Sequence, residues 1–480
     1  MTRQELGMVW TITARELRDQ LRDWRIIAPM VILTLFFPYL MNWTARQAIN
    51  FVGQYGSTLL AERLVPFLIM VVGFFPLTVS LVVALEAFVG EKERGTIEPM
   101  LSSPLKDWQL YMGKLLASII VPLFTSYLGI GVYLGSLALG GVPLPSLNII
   151  LQTLALTAAQ GILMVSGAIV ISAQSTTVRA ANLLASFIII PVALLVQGES
   201  VLMFWGTENV LWLAVFGVSV MAVLLVRLGL AHFQREHLLS REIDTLNLKW
   251  MARLFWTAFT GRQTSLWGWL TREIPSTLYR MRVSIALTLL LGFVSVAAAY
   301  YGVQSFIDTA ALRTDSISFD EIRQAVSQMD NGLLSGEISF GGILGNNIRA
   351  SVVAFLLGSI SFSVVGMLAF IANMGLIGGV FGALGSFGLP QWTLFVNGIL
   401  PHGILELPAI ALLSAAVLHM GVVLVTPNAR KTFTDVLIET FADWLKLFLA
   451  LALPALIIAA WIETNITPTL LLQALGQILQ

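Results

Sequence analysis

An all-α polytopic membrane protein built from two membrane units is predicted by the sequence, and three observations carry that prediction. The 480 residues are 57% hydrophobic and 11% charged, whereas soluble domains carry about a quarter charged residues. About eleven apolar runs approach the roughly 20 residues that a bilayer's hydrocarbon requires. The remaining charges collect between those runs, most densely in residues 91–114 and 231–282.

Other classes are excluded by what is missing. Net charge is zero and Cys is absent, so disulfides and thiolate metal sites are ruled out and nothing argues for nucleic acid as a partner. The four histidines, His232, His237, His402 and His419, argue against a multi-histidine centre, and no metal site is expected.

Residues 1 to 25 read as an amphipathic interfacial leader. Leu6, Val9, Trp10, Leu17, Leu21 and Trp24 make one face, and Arg15, Arg18, Arg22 and Arg25 the other; two Trp on the apolar face favour an interface over a solvated leader. Spans follow at Ile26–Leu40, Val65–Val89, Leu115–Leu139, Ile149–Ile171, Ala180–Val196 and Val210–Leu230. No small-residue cleavage signal follows the first, which is expected to stay as a signal anchor.

Positive charge sets the direction of these spans. The leader holds five Arg, the 91–114 loop four Lys or Arg, and the turn near Gln174 has Arg179; the alternate loops hold two (Arg46, Arg63), none and none. A multi-pass protein of the cell membrane with a cytoplasmic N-terminus is therefore expected, the leader and the 91–114 loop facing the cytosol. Glu86, near the end of the second span, is expected to snorkel to that surface.

In the 91–104 stretch, Thr96 is placed to cap a short helix whose first turn holds Glu98 and Pro99, with Ile97, Met100 and Leu101 as an apolar stripe. Ser103 is placed to cap a second helix with Pro104 at its first position and Leu105, Trp108 and Met112 on one side. Gly90 and Gly95 have phosphate-loop spacing, but Thr96 stands where the lysine belongs and no strand precedes, so nucleotide is not expected on this chain.

Glu91-Lys92-Glu93-Arg94-Gly95-Thr96-Ile97-Glu98, followed by Met100-Leu101 and Ser103-Pro104, resembles the first cytoplasmic loop of the type-2 family of ATP-binding-cassette (ABC) export permeases. That resemblance implies that the loop is a coupling element resting in a groove of a separate ATPase subunit. It assigns ATPase coupling to Glu91, Glu93, Arg94, Gly95, Thr96, Ile97, Glu98, Met100 and Leu101, and it leaves ATP and Mg on the partner. Six spans with an amphipathic leader form one permease half in that family, so a homodimer is implied. Read from spacing alone, the same charges are equally well solvated residues flanking a span.

Residues 231–282 carry eight Lys or Arg against four acids, with Trp250, Phe255, Trp256, Phe259, Trp267 and Trp269. Basic residues among aromatics can stack nucleic acid, but between membrane units an interfacial aromatic belt is the better account. The domains are then 1–230, a 231–282 cytoplasmic linker, and 283–480.

The second unit opens with a span at Val283–Gly302. Residues 303–347, with six acids and two Arg, are expected outside; Ser318 to Glu321 is a capping box, and Phe319, Ile322, Val326 and Met329 line one side of a short helix. The apolar stretch 348–395 is cut near Asn373 into two spans, followed by His402–Val425 and Phe441–Trp461, giving eleven in all and an outside C-terminus. Gly375, Gly378, Gly379, Gly382 and Ser386 suit close helix packing.

Asn346-Asn347 before a span, Asn373 in a glycine-rich turn, and Asn397-Gly398 followed by Pro401-His402-Gly403-Ile404-Leu405-Glu406-Leu407-Pro408 resemble the family of stage II sporulation protein M. The stretch Ala415 to His419 departs from the small-residue run that often follows the motif. In its sporulation member that family is associated with assembling peptidoglycan-degrading enzymes at a membrane, so the resemblance implies a scaffold and cell-envelope enzymes as partners.

His402 and Glu406 share a helical face, and intramembrane ionisable groups are functional suspects. With Asn397 they form a candidate polar site. Three readings stand: a structural His–Glu pair, which is favoured, an ion- or proton-sensitive site, and a partner-binding feature; two ligands are too few for a metal. The function expected is an export permease subunit of an ABC transporter, itself no enzyme. The alternatives are an ATP-driven scaffold that moves envelope enzymes and an intramembrane enzyme using His402 and Glu406.

Overall fold

The computed structural model describes residues 3–53, 59–96, 102–140, 142, 144–175, 177–184, 186–205, 210–233, 248–309, 339–426 and 433–478. All regular structure among them is helical, and ten helical stretches are long and apolar enough to cross a membrane. The chain is an all-α, multi-pass membrane protein. It divides into two compact units, Met1–Thr245 and Leu246–Leu424 with Ala429–Gln480.

The first unit comprises α1 (Arg3–Arg22), α2 (Trp24–Gly53), α3 (Leu59–Arg94), α4 (Asp107–Leu139), α5 (Leu147–Gln174), α6 (Val178–Leu184), α7 (Ser186–Trp205) and α8 (Val210–His232). The leader forms α1. Its Val9 and Thr13 are buried while Leu6, Trp10 and Leu21 stay exposed. Thr13 Oγ1 bonds the Val9 and Gly113 carbonyls at 2.9 and 3.2 Å, and a Cβ at Gly113 would lie 2.7 Å from Ile12. The glycine therefore lets α1 seat on α4.

The first span is longer than the expected Ile26–Leu40, reaching Gln47; beyond Leu40, Asn42 Nδ2 donates to Ser136 Oγ at 2.9 Å. The fifth, expected over Ala180–Val196, consists of α6 and α7. Between α3 and α4, the helix expected from Ser103 does not form. Ser103 and Pro104 lie in a bend, and α4 starts at Asp107, where the Gln109 side chain accepts the Lys106 amide at 2.8 Å. Ile69, Val72, Tyr133 and Leu137 form the core between α3 and α4.

The second unit comprises α9 (Leu248–Thr260), α10 (Leu266–Gly268), a π-turn (Trp269–Glu273), α11 (Ile274–Arg280), α12 (Arg282–Thr309), α13 (Phe340–Ile360), α14 (Val364–Ser386), α15 (Gln391–Gly398), α16 (Leu400–Leu424), α17 (Phe433–Leu447), a second π-turn (Phe448–Ala452), α18 (Leu453–Asn465) and α19 (Thr467–Ile478). Half of the aromatic belt turns inward: Phe255 packs on Phe441 and Phe259 on Trp269, while Trp256 and Trp267 stay exposed. Beneath it, the fully buried Lys446 ammonium bonds Glu273 Oε1 and Asp443 Oδ1, each at 2.7 Å, and the Ala258 carbonyl at 3.0 Å. Arg280 binds Asp443 through both carboxylate oxygens. These charges tie α9, the π-turn and α11 to α17.

The cut expected near Asn373 is incorrect. The break falls at Ser361–Ser363, where Phe362 and Ser363 take φ of 50° and 74°, and Asn373 lies within α14. Ser363 N donates to Gly358 O at 2.7 Å, and Ser361 Oγ accepts the Val365 amide at 2.9 Å, so the turn pairs much of its own backbone. Asn346 and Asn347, expected before a span, lie inside α13. The glycines around Asn373 serve packing: Cβ atoms at Gly378 and Gly382 would overlap the Val296 and Tyr300 carbonyl oxygens of α12. The outer helix expected over Phe319–Met329, with its Ser318–Glu321 capping box, lies outside the described residues.

Candidate functional site

The signature segment begins as the last turn of α3. Gly95 ends the helix with φ of 70°, a left-handed conformation that glycine adopts without the Cβ penalty. Its amide donates to Lys92 O at 3.2 Å, and the Thr96 amide to Glu91 O at 3.0 Å, the two bonds of a Schellman motif. Thr96 thus closes the preceding helix. Ile97, Glu98, Met100 and Leu101, with the short helix expected to bear them, lie outside the described residues.

The charges before Gly95 bind this chain's own groups. Glu91 Oε1 meets Lys114 Nζ at 2.8 Å, and the same ammonium reaches Glu16 Oε1 of α1 at 3.2 Å. Lys114 is 1% exposed and also lies over the Phe88 ring. Lys92 Nζ donates to the Ala173 and Ser175 carbonyls at 2.6 and 3.1 Å, capping the C-terminal end of α5 with positive charge as its dipole favours. Glu93 Oε1 accepts the Val178 amide at 2.8 Å, which places a carboxylate at the N-terminus of α6. Three consecutive residues therefore fasten α3 to α4 and α1, to α5 and to α6, while Arg94 and Thr96 face outward. Lys114, Glu16 and Ser175 were not singled out in the sequence; a lysine in the first turns of an apolar run opposite a signature acid is the signal that points to them.

The second cluster lies in the other unit. His402 and Glu406 stand one turn apart on α16, and Glu463 approaches from α18; one ligating atom from each lies within 4.8 Å of the others. All three are half-buried. The His402 Nδ1 hydrogen-bonds Thr467 Oγ1 at 3.1 Å, so its ring is held by the start of α19 rather than by Glu406. Asn397 does not join the cluster: its amide donates to Thr393 O at 2.8 Å within α15. Glu406 also lines a cavity of about 340 Å³ between α13, α14 and α16, together with Asn346, Asn347, Asn373, Ser351 and Ser414. Asn347 faces Glu406 there. Glu463 was missed in the sequence because it ends a different apolar run; the signal was an acid within that run's last turn.

Both segments have counterparts among known proteins. Residues 10–209 match the family described as ABC-2 family transporter protein, and residues 283–468 match stage II sporulation protein M. Part of the first unit is thus similar to ABC-2 family transporter proteins and part of the second to stage II sporulation protein M. Over 126 residues the chain is 31% identical to the probable ABC transporter permease protein NosY of Pseudomonas aeruginosa and 29% identical to that of Stutzerimonas stutzeri. Each match covers 26% of this chain, and the chain spans 44% of the length of these curated relatives.

Proposed function

We propose that the chain is the permease subunit of an ABC exporter, driven by a separate ATPase that binds ATP and Mg and grips residues 91–104 from the cytosol. The observation that carries this reading is the fastening of four helices at Glu91–Glu93, immediately before the connection that the resemblance assigns to the motor. Ile97, Met100 and Leu101 fill the ATPase groove, Glu98 and Arg94 meet its charges, and Glu91, Glu93 and Gly95 hold the connection in place. ATP-driven motion is effective only because the connection binds differently to the two ATPase states. The chain lies in the cell membrane with its N-terminus in the cytosol, and a homodimer completes the pathway.

The absence of Cys makes single-cysteine labelling a direct test. Arg94→Cys reacts with an impermeant maleimide in permeabilised cells and not in intact ones, and a nucleotide-hydrolysing chain co-purifies with the wild type but not with Ile97→Asp/Leu101→Asp. Labelling of intact cells, or an ATPase retained by the double variant, refutes the reading.

A second reading rests on the match of residues 283–468 to stage II sporulation protein M. In it the same ATP-driven motion recruits or moves cell-envelope enzymes without a transported substrate. Co-purification of a peptidoglycan hydrolase, lost on deleting 319–329 while the ATPase remains bound, distinguishes the two.

A further inference from the structure

We propose that His402, Glu406 and Glu463 bind a divalent transition-metal cation of the Zn²⁺ class, and that Glu406 links this cation to the polar cavity of the second unit. The donor set is one imidazole nitrogen and two carboxylates from three separate turns of helix. Three protein ligands of this kind with an open fourth position suit Zn²⁺, and nitrogen and oxygen donors without thiolate favour divalent ions of that group.

Geometry brings the set close to readiness. Ligand atoms lie within 4.8 Å of one another, against the separation of about 3.4 Å that tetrahedral bonds of about 2.0–2.1 Å impose. Thr467 holds His402 by Nδ1 and so leaves Nε2 to ligate, the outer partner that metal-bound imidazoles ordinarily have.

Charge points the same way. Among the described residues neither Glu406 nor Glu463 has an ion-pair partner, although both lie in membrane-spanning stretches, where an uncompensated carboxylate is costly. A divalent cation neutralises both at once. The cavity beside Glu406 continues the polar surface, its wall holding Asn346, Asn347 and Asn373.

The test uses full-length protein in detergent, stripped with chelator and titrated with Zn²⁺, with Mn²⁺ and Mg²⁺ in parallel, read by calorimetry and by metal content per chain. The expected result is one Zn²⁺ per chain in the wild type and at least tenfold weaker binding in Glu406→Gln and in Glu463→Gln, which lie on different helices. Zn²⁺ raises the melting temperature of the wild type only. Thr467→Val keeps the stoichiometry and weakens binding about tenfold. Equal Zn²⁺ binding by wild type and the Glu406→Gln/Glu463→Gln double variant overturns the proposal. So does a stripped wild type that takes up no metal and gains the same thermal stability from acid alone, which would mean that the carboxylates share a proton.

Discussion

Lys114 shows what a single buried charge commits a membrane protein to. Its ammonium joins Glu91 and Glu16, and replacing it with Met leaves both carboxylates without their cation. Breaking a buried pair from one side costs about 3–5 kcal/mol. Because the acids keep 17% and 21% exposure, Lys114→Met is expected at the low end, about 3 kcal/mol. The loss is read as a lower melting temperature in detergent, partly restored by adding Glu91→Gln. At the neighbouring turn, Gly95→Ala is expected to cost about 1–2 kcal/mol through the left-handed backbone. It should also reduce stimulation of the ATPase more than it reduces assembly. Residue identities in this segment were legible in the sequence, but the direction of the side chains was not. A run of alternating charges between two apolar stretches looks solvated, and its partners Lys114, Ala173 and Val178 become visible only once the helices are packed. Glu463 was hidden for the same reason: the fold, not the spacing, brings it to His402 and Glu406.

At the scale of elements, the closest packing is that of α12 on α14. Side chains at Gly378 or Gly382 would meet α12 backbone oxygens, which have no rotamer by which to move aside. Gly378→Val is therefore expected to cost about 3 kcal/mol, the upper part of the overpacking range. Gly302→Ala is the control. It lies in the same α12 with nothing near a new Cβ, and is expected to be neutral or stabilising by about 0.5–1 kcal/mol; thermal unfolding of the two variants side by side makes the comparison. Ten of the eleven expected spans were legible because hydrocarbon thickness bounds the length of each apolar run, whereas the one expected over Ala180–Val196 is not among the ten spanning stretches of the described residues. The break at Ser361–Ser363 was not legible, because glycine is the usual mark of a left-handed turn and here Phe362 and Ser363 adopt it, while the true glycines line a helix interface.

For the whole molecule, two compact units meet in sequence at Thr245 and Leu246, and each has its own core and its own charged cluster. A chain split after Thr245 and co-expressed as two pieces is expected to insert in the membrane as both pieces. The first should retain association with the ATPase, and the second should retain the tie between Lys446, Asp443 and Glu273. Membrane fractionation with affinity capture of each piece checks this, and loss of the ATPase from the first piece contradicts it. Charge counts set the 231–282 segment apart by composition, whereas its residues from Leu246 onward belong to the second unit. They did not reveal that α9 and α11 are tied to α17, because those ties depend on Lys446 and Asp443, two charges in an apolar stretch.

The knot at Glu91–Glu93 has a mechanical corollary. A helix end that frays can soak up a shove as local unwinding; here the final turn of α3 is stitched to three neighbours and shut by Gly95. A displacement applied just past Gly95 consequently has little slack to dissipate it and travels as the joint tilting of a helical block. Cutting one stitch, as in Lys92→Met, should make the stroke leaky: nucleotide turnover persists while less of it reaches the membrane helices.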